Sequence, residues 1–62
     1  MYSILTFIAK ANKNSLKFGL KENEDYLLEK SAIKDIVLVY DMCHNYITSA
    51  NVNCFYNFKL KK

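Results

Sequence analysis

The run from Lys34 to Ile47 constrains this chain more than any other stretch. It is the longest apolar-rich segment, and whether it is helix or strand decides the fold. Two patterns compete there. From Tyr26 onward, apolar residues fall at 26, 33, 36, 37, 40, 43 and 47, a stripe close to the 3.6-residue period of an amphipathic helix. Neither Pro nor Gly interrupts residues 24–48. Asn23 suits a cap, and Glu24 and Asp25 would meet the positive end of a helix dipole. The favoured expectation is one long helix. Against it, Ile36 to Tyr40 is β-branched and aromatic, the composition of a buried strand. The alternative is a helix over 24–33 followed by a strand over 35–42.

The flanks read as strands. Residues 2–10 carry little charge, with Tyr2, Ile4, Thr6 and Ile8 on one face and Leu5, Phe7 and Ala9 on the other. A strand apolar on both faces belongs in the middle of a sheet. After a polar turn at 11–14, Leu16, Phe18 and Leu20 alternate with Lys17, Gly19 and Lys21, which closes a β-hairpin over residues 1–21. Beyond a turn at 49–51, Val52, Cys54, Tyr56, Phe58 and Leu60 alternate with Asn53, Phe55, Asn57, Lys59 and Lys61 to form the last strand. The expected fold is therefore α+β. It is a small ββαβ domain with a three-stranded antiparallel sheet in the order 2-1-3 and one long helix on one face, or ββαββ if residues 35–42 form a strand. The helix would pack through Ile33, Ile36, Tyr40 and Ile47 and leave Leu27, Leu38 and Met42 outside its main stripe. Residues 1–62 are expected to make a single compact domain.

Size and composition narrow the chemistry. A chain of 62 residues buries only about 60% of its unfolded surface, so small folds lean on disulfides, metals or partner subunits. Cys43 and Cys54 are too few for a disulfide framework. Support must come from the core, rich at 52% hydrophobic and 15% aromatic residues, or from homodimerisation. Asp41, Cys43, His44 and Cys54 invite a metal or nucleophile reading, but zinc ligands come as spaced pairs, and neighbouring helical residues point about 100° apart. The cysteines read instead as small buried hydrophobes. Glu22, Glu24, Asp25 and Glu29 are explained by a helix start. A single glycine leaves no phosphate-cradling loop. No catalytic, cofactor-binding or metal-binding residue is assigned, and a non-enzymatic role is expected. Residues 1–9 lack a basic leader and are too short to cross a bilayer, which points to a cytoplasmic protein with no membrane partner.

The surface the helix leaves uncovered then becomes the expected working face. Its candidate partner-binding residues are Lys17, Lys21, Phe55, Asn57, Lys59 and Lys61, with Phe55 as an aromatic anchor. All nine basic residues are Lys, and without Arg the bidentate reading of bases and phosphates is absent. Lys, Asn, Ile, Tyr and Phe, all with A/T-rich codons, supply 30 of the 62 residues. Together these features suggest a protein–protein interaction module from a phage or mobile element of a low-GC host. Such a module would bind and sterically inhibit a host protein or nucleoprotein complex, in the manner of an anti-defence or anti-CRISPR protein. The alternative is a small basic nucleic-acid-binding domain acting through the same open sheet face.

Overall fold

A computed structural model of the chain describes residues 6–61. The structure is almost entirely sheet. Its strands are β1 (Thr6–Ala11), β2 (Asp25–Lys30), β3 (Ile36–Tyr40), β4 (Tyr46–Asn51) and β5 (Phe55–Leu60), with short 3₁₀ helices at Lys13–Phe18 and Val52–Cys54. Every pairing is antiparallel, and the strand order is β4-β3-β2-β1-β5.

This overturns the expected ββαβ fold and its ββαββ alternative, because the described residues contain no long helix. The breaks sought in Pro and Gly are made by other residues. Asn23, Asp35 and His44 take φ values of 66°, 64° and 68°. Asn, Asp and His are the non-glycine residues that enter the left-handed region most readily. They begin β2, separate it from β3, and turn β3 into β4.

Side chains close the two hairpin turns. Ser31 Oγ accepts from the Ile33 N–H at 3.1 Å and donates to the Ile36 carbonyl at 2.7 Å. Asp41 Oδ1 accepts from the Cys43 and Asn45 N–H groups, each at 2.9 Å. Meanwhile the His44 N–H donates to the Asp41 carbonyl and the Asp41 N–H to the Asn45 carbonyl, both at 2.9 Å. His44 is thus the left-handed bulge residue of a short hairpin loop.

The strand expected at residues 16–21 is also absent. The Asn12 side chain accepts from the Asn14 N–H at 2.9 Å, and Ser15 Oγ donates to the Asn12 carbonyl at 2.7 Å. These local bonds wind residues 13–18 into a 3₁₀ helix, which Gly19 ends at φ 83°. The apolar alternation of Leu16, Phe18 and Leu20 is split accordingly: Leu16 is exposed while Leu20 is buried. The start of the strand expected over 2–10, residues 2–5, lies outside the described residues. β1 does run between two strands, but its neighbours are β2 and β5, so the order is not 2-1-3.

The register sorts side chains onto two faces. Phe7 lies opposite Leu28, and Leu28 opposite Val39. Ala9, Ala11, Tyr26, Leu28, Val39, Ala50 and Phe55 make the main core with Leu20 and Cys54 from the connections. On the reverse face Leu27 sits between Ile8 and Tyr40 and is wholly buried. Leu27 was expected outside the main stripe of a helix, and Ile33 and Ile47 inside it. Instead Ile33 is 66% and Ile47 40% exposed. Ile33 falls in a turn and Ile47 on an edge strand.

β4 and β5 occupy opposite edges of the sheet, yet only Val52–Cys54 joins them. The sheet must therefore roll until those strand ends approach. Three bonds hold the roll: Asn12 N–H to the Cys54 carbonyl at 2.8 Å, Asn12 Nδ2 to the Asn53 carbonyl at 2.7 Å, and Val52 N–H to the Asp35 carbonyl at 2.8 Å.

Candidate binding cleft

The rolled sheet has one concave apolar face, and its two halves differ. Over Ala9, Ala11 and Tyr26 the face is filled by Leu20, Cys54, Phe55 and the partly buried Phe18. Toward Phe7, Leu28 and Val37 it opens into a cleft of about 370 Å³. Ile36, Val52 and Phe58 complete the apolar walls, and Lys30 and Asp35 also line it. Phe58 belongs to β5, an edge strand, and is 46% exposed. Leu60, 51% exposed, pairs with Phe7 and so extends the same apolar face to the strand end. A cleft of this kind offers apolar contact and one charge of each sign. It can hold hydrophobic side chains.

The sequence-derived candidate residues are dispersed. Phe55 is 5% exposed, packed in the core, and so is not an exposed aromatic anchor. Lys17 lies on the first 3₁₀ helix with its Nζ 5.5 Å from the centroid of the Phe18 ring. Lys21 follows that helix in the connection to β2 rather than on a sheet strand. Asn57 and Lys59 do come together, lining a depression with Ile8, Lys10 and Asp25 on the outer face of β1, β2 and β5. Asn57 takes φ 57° where the β1–β5 register slips between Ile8 and Lys10, the mark of a β-bulge. The Lys61 N–H donates to the Thr6 carbonyl at 2.8 Å, prolonging the pairing of β5 with β1. Phe58, Leu60, Phe7 and Val37 were not singled out, although the alternation of 52–60 had already placed Phe58 and Leu60 on one side.

Asp41, Cys43 and His44 lie in the β3–β4 turn, and Cys54 lies in the core. Glu29 Oε2 lies 3.0 Å from His44 Nε2, with the Glu29 side chain nearly buried. The Tyr40 ring meets His44 edge-on at 4.7 Å between centroids and Tyr46 at 5.7 Å. Desolvation, then the Glu29 carboxylate, pushes the Tyr40 phenol above its ordinary pKa, so it stays neutral beside that charge. The Asn45 backbone N–H, foremost among several donors, holds the Asp41 carboxyl below the usual range. The hydrogen bond from Lys10 to Asp25, at 3.0 Å, raises the Lys10 ammonium. Cys54 is buried as expected of a small hydrophobe, whereas Cys43 is exposed in the β3–β4 turn, and the two are not bonded. Among the described residues no group of three His, Cys, Asp or Glu side chains could share a metal ion. The Glu29–Tyr40–His44 cluster ties β2 to the β3–β4 turn.

No helix among the described residues is long and apolar enough to cross a membrane. No protein-family model, curated protein or solved structure matches the chain.

Proposed function

We propose that this chain is a non-enzymatic protein-interaction module that takes an apolar segment of another protein into the cleft over Phe7, Leu28 and Val37. One observation carries this reading: half of a continuous apolar sheet face is left open, and Phe58 and Leu60 stand exposed at its edge. Covering apolar surface is favourable by about 25 cal/mol per Å², so such a face attracts a complementary one. The volume of about 370 Å³ falls within the range of roughly 300–1,000 Å³ common for small-ligand pockets, enough for a few side chains. Phe58 takes the anchoring place in preference to the buried Phe55, with Asn57 and Lys59 on the same strand and Lys61 just past its end. Occlusion of the partner's own working surface, the steric inhibition expected from so small a chain, follows directly from such capture.

Selection from a displayed peptide library against the intact chain tests the proposal, with Phe58→Asp as counter-target. Peptides that bind the parent chain and lose at least tenfold on Phe58→Asp support the cleft. Sequences that bind both equally, or no enrichment at all, refute it. Retention on single-stranded DNA that vanishes steeply with added salt would favour the nucleic-acid alternative instead.

A further inference from the structure

Resting on that reading, we infer that the partner segment binds as a sixth strand along β5 and alternates apolar with acidic residues. β5 closes one edge of the sheet and pairs only with β1 among the described strands. The Lys61 N–H is spent on the Thr6 carbonyl, and Leu60 pairs with Phe7. Antiparallel ladders alternate, so the backbone N–H and C=O of Leu60 point away from β1. An edge strand with such groups open is a template for an added strand.

The side chains of β5 specify what that strand should carry. Phe58 and Leu60 lie on the cleft side. Lys59, opposite Ile8, lies on the reverse face, and Lys61 follows it there at strand spacing. A strand laid beside them has the same period of two. Its cleft-side residues meet Phe58, Leu60 and the open apolar face, and its reverse-side residues meet Lys59 and Lys61. The ion pairs among the described residues are Lys10 with Asp25 and His44 with Glu29, so Lys59 and Lys61 have no acidic partner there. At the cleft itself Lys30 and Asp35 bring one charge of each sign, so the preference rests on Lys59 and Lys61. Carboxylates satisfy this arrangement. A second copy of the chain would instead bring its own Lys59 and Lys61 to the same edge and repel. The bulge at Asn57 interrupts the ladder and limits the added strand to the last few residues of β5. No β4 residue lines the cleft, which makes that edge the weaker template.

Three synthetic peptides of about eight residues decide the matter on the full chain. One alternates Val or Leu with Glu, one carries Lys in place of Glu, and one keeps the first composition but groups the apolar residues together. The expected result is binding of the alternating acidic peptide at least tenfold tighter than either other, with amide exchange at Leu60 slowed at least tenfold at saturation. Lys59→Glu with Lys61→Glu should then transfer the preference to the basic peptide. Equal binding of the alternating and grouped acidic peptides, with no protection at Leu60, overturns strand addition while leaving the cleft in place as a docking site. Failure of all three to bind, when the library has yielded cleft binders, likewise refutes the acidic pattern. If no peptide of either experiment binds, the module reading falls with it. Concentration-dependent dimerisation that protects Leu60 without peptide would assign the edge to a second copy.

Discussion

His44 shows how a single residue can serve both the backbone and a side-chain network. At φ 68° its Cβ is crowded, a cost of about 1–2 kcal/mol that glycine avoids. The imidazole offsets this by reaching the nearly buried Glu29 carboxylate at 3.0 Å. His44→Ala keeps the crowded backbone and loses the contact, whereas His44→Gly loses only the contact. Thermal or denaturant unfolding should therefore find His44→Gly more stable than His44→Ala by about 1 kcal/mol. Equal stability would mean the loop relaxes out of the left-handed conformation. Asp41, three residues earlier, has a carboxyl pKa depressed below 3.8, chiefly by the Asn45 N–H. A depressed pKa means its contribution is present above pH 3.8 and is lost as pH falls through the lower folded value. Melting temperature measured from pH 6 to pH 2 should fall less steeply at the acid end for Asp41→Asn. The amide can still accept the turn's N–H bonds and does not titrate.

At the scale of elements, β2 is buried through four consecutive residues, 26–29. Leu27 and Leu28 are neighbours in sequence, point to opposite faces, and are both buried. Each truncation to Ala should cost about 2–5 kcal/mol. On the expected helix Leu27 would have lain outside the packed stripe, so Leu27→Ala is the sharper measurement: a loss below about 1 kcal/mol would contradict a strand buried on both faces. Phe55→Ala should cost about 3–5 kcal/mol for the same reason, which makes it a poor probe of any surface. The 24–48 segment shows why the strands were hard to see. Its apolar spacing fits a helix, and its residues at 25–30 include good helix formers. What divides it is a set of turn residues, Ser31, Asp35, Asp41 and His44, whose hydrogen bonds and left-handed φ values are preferences that other contexts do not use. The β-branched run Ile36 to Tyr40 was the legible part, and it does form a strand. The final strand was legible in its alternation, although Val52 and Cys54 went to a 3₁₀ turn.

For the whole molecule, the decisive feature is the roll that brings the ends of the two edge strands together. It fills one half of the concave face with connections and leaves the other half open. Glu29 and His44, fifteen residues apart, meet only because β2 and β3 pair. Phe7 and Phe58 face one cleft only because β5 returns to β1. Neither meeting is encoded at a local spacing, so neither could be read along the chain. Composition and alternation by themselves determined an apolar-rich chain and a last strand in which Tyr56, Phe58 and Leu60 alternate with Phe55, Asn57 and Lys59. The tertiary structure decided that Phe55 is core and Phe58 surface. It also decided that the 24–48 segment turns twice, at 31–35 and 41–45, instead of coiling once. The physical reason is the same in both cases: pairing between distant strands sets which face is buried, and no local propensity outweighs that burial.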